Sequence, residues 1–215
     1  MHIGVDEAGK GPVLGPMVAT AVRADPDALP DGIADSKRLA PERREELAAT
    51  LRERDDIDVG VAFVEPETID DPETDMNLLT VRAQVEAAAD VAVEADELVC
   101  DAGDVNESRF GRRVREGLAE SGVEVEVHAQ HRADDEHAIV GAASVVAKVE
   151  RDRRVEAIAD EYGEVGSGYP SDGTTREFLR EYVREHGILP DCARKSWSTC
   201  ADLMAAHEQS SLGDF

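Results

Sequence analysis

An α/β fold with a mixed sheet is predicted by three features of this chain. Short stretches alternate apolar with other residues, helical apolar faces are interleaved with them, and several of the strand-like stretches end in a carboxylate. Three strands come first and strands alternating with helices follow, which favours a sheet of mixed direction. Residues 2–6 and 17–23 read as strands separated by a Gly/Pro-rich turn, and 57–64 as a third, with Ile57, Val59, Val61 and Phe63 in alternation. Between them Pro41 opens a helix, with Glu42, Glu45 and Glu46 near its N-terminus. Residues 76–95 are alanine-rich, with Leu79, Ala83, Val85 and Ala89 on one helical face. Residues 97–101 form a short apolar strand ending in Asp101, and 123–128 alternate strictly. Helices are expected at 134–162, 174–186 and 197–208, with Gly166-Ser167-Gly168-Tyr169-Pro170 breaking the pattern. The expected organisation is a main domain over 1–165, a helical subdomain over 166–208 and a tail over 209–215.

Composition narrows the classes. Lys+Arg 23 against Asp+Glu 48 gives a formal net charge of −25. Periodic apolar positions argue against disorder, so a folded protein that repels itself in dilute buffer is implied, as in a halophile's cytoplasm. No apolar run is long enough to span a bilayer and no basic-then-apolar leader opens the chain, so a cytoplasmic protein without membrane association is expected. Three cysteines without CxxC spacing indicate neither a zinc site nor a disulfide framework. Lysine occurs only at 10, 37, 148 and 195.

The acids fall into a set. Asp6 and Glu7 end the first strand and precede Gly9-Lys10-Gly11; Asp101 ends another strand, and Asp134 follows the 123–128 strand. Carboxylates at neighbouring strand ends converge in the crevice where open α/β sheets bind ligands, and oxygen ligands of this kind suit Mg²⁺ or Mn²⁺. Glycines admit a close main-chain approach, and a lysine supplies a point charge for phosphate. Competing readings stand at two positions. Asp6-Glu7 also suits a solvated turn, and Asp134 an ordinary helix N-cap. Successive strand residues face opposite sides, so Asp6 and Glu7 share a site only if the strand ends or bulges there. A P-loop is excluded, since Gly11-Pro12 follows Lys10.

Ordered motifs covering almost the whole chain resemble ribonuclease HII in its archaeal form. They are 6–16, Asp35-Ser36-Lys37-Arg38-Leu39, 101–106, 131–134, 142–149, 166–172 and Arg194-Lys195-Ser196-Trp197. The resemblance implies a ribonuclease H-like fold with a C-terminal helical extension, acting on RNA–DNA hybrids and on duplex DNA carrying an embedded ribonucleotide. It also implies incision 5′ to that ribonucleotide, leaving 3′-hydroxyl and 5′-phosphate ends. By motif, Asp6, Glu7, Asp101 and Asp134 would be catalytic carboxylates and metal ligands. Gly9, Lys10, Gly11 and Tyr169 would recognise the RNA-to-DNA junction through the 2′-hydroxyl and the following deoxyribose. Ser36, Lys37, Ser144 and Lys148 resemble phosphate-contacting positions. The arginines at 109–115 and 151–154 alternate with acids and read as solvated helix faces.

Gln209, Leu212 and Phe215 have the Gln-x-x-Leu-x-x-Phe spacing of the peptide by which replication proteins dock on the sliding clamp. The alternatives are a frayed polar tail and, for the whole chain, a non-catalytic hybrid-binding or clamp-associated module. A monomer is expected.

Overall fold

The computed structural model describes residues 1–33 and 39–213. It has the expected α/β architecture, a five-stranded mixed sheet with helices between and after the strands. Two compact units are present, one of Met1–Lys10, Met17–Phe63 and Met76–Arg151, the other of Gly11–Pro16, Val64–Asp75 and Asp152–Phe215.

The sheet belongs to the first unit. β1 (His2–Ala8) pairs antiparallel with β2 (Met17–Ala24) and parallel with β4 (Glu97–Asp101), and β4 pairs parallel with β5 (Glu126–Gln130). β3 (Asp58–Val64) completes the order β3-β2-β1-β4-β5. β1 runs two residues beyond the sequence expectation because its register with β2 continues through Glu7↔Ala19 and Ala8↔Val18. Gly9, at φ +83°, then turns the chain away in a conformation that disfavours other residues. β5 starts later than the alternation of 123–128 indicates, because its partner begins at Glu97↔Glu126. Pairing, and not alternation, sets the strand.

Helices cover both faces. α1 (Pro41–Glu53) and α6 (Ala138–Tyr162) contribute Leu47, Leu51, Val140 and Val145 to a core with Val22 and Ala24. α3 (Met76–Ala89) and α4 (Glu107–Glu120) bury Leu79, Ala83, Phe110, Val114 and Leu118. α3 stops at 89 rather than 95, and Ala95 follows in a left-handed conformation, φ 72°. The helix expected over 134–162 is two: α5 (Ala133–Glu136) ends at extended His137 (φ −120°), and α6 restarts at Ala138.

The second unit packs Val13, Leu14, Val165, Leu179, Ala193 and Cys200 into its own core, with α2 (Pro66–Ile69), α7 (Gly173–His186) and α8 (Ser198–Gly213). It is discontinuous in sequence. Leu14 bridges to Ala193, and the Asp70 carboxylate accepts from Lys195 N at 2.7 Å and Ser196 N at 2.8 Å. α8 runs to Gly213, so the helix passes through the first residues of the expected tail. No helix among the described residues is long and apolar enough to cross a membrane.

Candidate active site

Asp6 and Glu7 sit inside β1, where the strand neither ends nor bulges. Successive strand residues alternate in direction, so no break brings these two together, yet the Glu7 and Asp101 charges both act on Asp6 and the Asp101 charge acts on Glu7. On one face, Thr20, the partner of Asp6 in β2, donates from its hydroxyl to the Ala143 carbonyl of α6 at 2.6 Å. A Cβ at Gly4 would stand 2.2 Å from the Ile139 carbonyl oxygen of that helix. This close approach sets the buried Ser144 hydroxyl against Asp6, where it lowers the acid's pKa without completing a hydrogen bond of normal geometry. Half-buried Lys148 lies one helical turn further along the same side of α6.

On the other face, Gln84 of α3 donates from Nε2 to Glu7 Oε2 at 2.6 Å and to the Asp101 carbonyl at 3.0 Å. Lys10 Nζ donates to the Gly103 carbonyl and to Asn77 Oδ1 at 3.5 Å. A Cβ at Gly103 would meet Glu7 Oε1 at 3.1 Å and Lys10 Nζ at 3.2 Å, so this glycine leaves room for the acid and the ammonium group. Gln84 drew no notice in the sequence. Its only signal is an amide on an otherwise apolar helix face.

Asp101 lies one residue past the Val5↔Cys100 pair, beside Asp6 on the neighbouring parallel strand. Its Oδ1 accepts from Ala133 N, the first residue of α5, at 3.1 Å. That bond brings the α5 turn to the end of β4. Asp134 is the second residue of α5 and is 8% exposed. The cap is Arg132, held left-handed at φ 58°, so an N-cap role for Asp134 is excluded. His131 Nε2 lies 2.7 Å from the Asp104 carbonyl, and His137 Nε2 3.1 Å from Gln130 Oε1.

The electrostatics are those of an anionic cluster short of positive charge. Burial, then the charges of Glu7 and Asp101, hold the Asp6 carboxyl well above its ordinary range. Burial likewise pushes Glu7 to about 7, against the opposing effects of Gln84 and Lys10. Burial and the same acids raise the Cys100 thiol far out of reach of ionisation, so it is inert filler. Among the described residues no three His, Cys, Asp or Glu side chains close on a common point as a finished cation shell. Hard oxygen donors with raised pKa values are nonetheless the chemistry that a divalent cation relieves.

In the second unit, Tyr169 is 46% exposed, and a Cβ on Gly11 would lie 3.8 Å from its Cε1. Ser36, Lys37 and Phe215 lie outside the described residues. Gln209 and Leu212 fall on α8, with Gln209 exposed. Arg112 pairs with Glu116 at 3.8 Å on an exposed helix face, as expected, but Arg109 pairs at 2.6 Å with the buried Asp104, and Arg151 is itself buried, so the solvated-face expectation fails at Arg151.

Residues 3–200 match the family described as ribonuclease HII. The chain belongs to the ribonuclease HII family. It is accordingly a ribonuclease H endonuclease. Ribonuclease HII of Haloarcula marismortui is 57% identical over the full length of both chains. The ribonuclease H2 structure from Pyrococcus horikoshii superposes with a TM-score of 0.88 at 37% identity, covering 96% of this chain and 98% of that one. The ribonuclease HII of Archaeoglobus fulgidus, solved as a PCNA:RNase HII complex, gives a TM-score of 0.81 at 38% identity over 92% of this chain and 95% of that one.

Proposed function

We propose that this enzyme hydrolyses RNA within RNA–DNA hybrids and incises duplex DNA 5′ to an embedded ribonucleotide, leaving 3′-hydroxyl and 5′-phosphate ends. The observation that carries the reading is the meeting of Asp6, Glu7 and Asp101 at the C-terminal ends of β1 and β4, where among the described residues Lys10 offsets part of the Glu7 charge. Asp6, Glu7, Asp101 and Asp134 would hold Mg²⁺ or Mn²⁺, which supplies charge stabilisation and a more acidic attacking water. Asp6 and Asp101 stand side by side toward the scissile phosphate, while Gln84 fixes the rotamer of Glu7. Ser144 and Lys148 face the phosphate backbone from α6, and Lys37 and Ser36 are assigned a similar part by motif. The Gly9-Lys10-Gly11 main chain reads the ribose 2′-hydroxyl, and the Tyr169 ring packs on the following deoxyribose.

The tail supports a second role, docking on a sliding clamp through Gln209, Leu212 and Phe215. Its support is the peptide's spacing and the clamp complex formed by the Archaeoglobus fulgidus relative. The test of the main reading is a labelled duplex carrying one ribonucleotide, in concentrated KCl with Mn²⁺ or Mg²⁺, beside an all-DNA control. Metal-dependent nicking 5′ to the ribonucleotide, lost in folded Asp6→Asn and Asp101→Asn proteins, is expected. Binding without cleavage by well-folded protein would leave a hybrid-binding module instead.

A further inference from the structure

The Arg194-Lys195-Ser196-Trp197 motif takes no part in the reading above, yet the second unit gives it a specific place. The segment 11–16 has no secondary structure of its own to hold it, so its main-chain groups must find partners elsewhere. Residues 192–197 provide them. Gly15 N donates to the Cys192 carbonyl at 2.8 Å, and Arg194 N to the Val13 carbonyl at 2.8 Å. The fully buried Arg194 donates from Nε to the Gly15 carbonyl at 3.0 Å, and its guanidinium lies 5.1 Å from the Trp197 ring centroid. Trp197 Nε1 donates to the Gly11 carbonyl at 3.3 Å.

The tyrosine loop is tied to the same segment. The Gly168 carbonyl accepts from both Val13 N (2.8 Å) and Leu14 N (3.2 Å). Asp172 holds the loop from behind, accepting from Ser167 N at 2.6 Å, Ser167 Oγ at 2.7 Å and Thr174 N at 3.0 Å. Gly11 and Tyr169 thus face each other because both belong to one hydrogen-bonded frame, not because they touch.

We infer that Trp197, backed by Arg194, is a positioning residue that holds the Gly11 main chain against the Tyr169 ring and so sets the preference for a ribose-to-deoxyribose step. The inference rests on the junction reading proposed above. Holding the Gly11 carbonyl fixes the plane of the Gly11–Pro12 peptide, which carries no N–H because residue 12 is proline, and with it the position of the Gly11 Cα at which the chain enters that plane. The indole N–H donates to the Gly11 carbonyl, and the ring against the Arg194 guanidinium has little freedom to swing away.

Trp197→Phe deletes the N–H and keeps an aromatic ring over Arg194. Kinetics on the single-ribonucleotide duplex and on an all-DNA duplex, with melting curves, provide the first readout. The variant is expected to raise KM for the ribonucleotide duplex by about fivefold, the worth of one hydrogen bond, with kcat within about twofold. A structural role alone would lower the melting temperature and the active fraction, leaving KM unmoved. Trp197 is the single tryptophan of the chain, so its emission is a second readout. In the Asp101→Asn protein with Mn²⁺, the ribonucleotide duplex should shift the emission and the all-DNA duplex should not. Unchanged KM and discrimination in Trp197→Phe overturn the inference. If that variant fails to fold, an unshifted emission on binding, with binding followed by anisotropy of a labelled duplex, overturns it equally. A parent enzyme that does not distinguish the two duplexes refutes the junction reading itself, and the inference falls with it.

Discussion

Replacing Gly4 by alanine tests the contact that places β1 on α6. The added Cβ would lie 2.2 Å from the Ile139 carbonyl oxygen, 2.3 Å from its carbon and 2.5 Å from Val140 N. Ordinary contact needs more than 3 Å, and every atom struck is backbone in the first turn of α6, which cannot rotate aside as a side chain does. Strand and helix must separate by roughly 1 Å, in a core packed at crystal density. Overpacking costs about 1–3 kcal/mol, and a backbone-on-backbone clash belongs at or above the upper end. About 3 kcal/mol is a large share of a total stability of about 5–15 kcal/mol and would lower the melting temperature by about 6–12 °C. Two other glycines calibrate the measurement. At Gly122, φ +84° with nothing within 4 Å, alanine should cost about 1 kcal/mol from backbone strain alone. At Gly173, with open space and no positive φ at the start of α7, alanine should be neutral or stabilising by about 0.5 kcal/mol. Denaturant unfolding of the three variants in concentrated KCl gives the comparison. Gly4→Ala should also lose activity beyond its loss of folded protein, because Ser144 rides on the displaced helix. A Gly4→Ala cost no greater than that of Gly122→Ala would refute the packing argument.

Asp6→Asn should melt higher than the parent in chelator, since a neutral amide escapes the burial and repulsion that raise the Asp6 pKa, while cleavage falls by about two orders of magnitude or more. A variant that loses both stability and activity would contradict an uncompensated anionic cluster. At Asp96, burial raises the pKa, but the Arg23 pair at 2.6 Å and the Val93 N–H outweigh it, and the net shift is downward. A depressed acid contributes stability that is present above its unfolded value near 3.8 and lost as pH falls through the folded one. Asp96→Asn should therefore cost about 2 kcal/mol at neutral pH and flatten the acid limb of the stability curve; an unchanged acid limb would assign that loss elsewhere. A net charge of −25 predicts melting temperatures that climb from dilute to multimolar KCl, and a log Kd against log salt slope for substrate much shallower than that of a basic DNA-binding protein. Deleting 209–215 should abolish binding to a sliding clamp in a pull-down or titration and leave hydrolysis of short duplexes unchanged; retained clamp affinity would rule the tail out.

The acids were legible because ionisable side chains at strand ends are visible in any sequence that alternates. Asp101 ends β4 and Asp134 stands in the turn of helix after β5, as the sequence indicates, whereas Asp6 and Glu7 lie inside β1 and not at its end. The mixed sheet follows from the same alternation and from the helical faces between its strands. What stayed hidden depends on partners far along the chain. No local signal shows that β1 continues through Ala8, because its last pairs are made with Ala19 and Val18. That extension sends Glu7 to Gln84 on one helix and Asp6 toward Ser144 on another, so adjacent acids receive different neighbours. The long alternating stretch misplaced β5 for the same reason, since a strand begins where a partner offers hydrogen bonds. The motif at 194–197 could be seen as a pattern but not as a brace for Gly11, 186 residues earlier. Sequence by itself determined the chemistry available and the kinds of element that carry it, because both follow from side-chain type and period. Only the tertiary structure decided which face each acid occupies and what holds it there, because those depend on contacts between segments that the order of residues keeps apart.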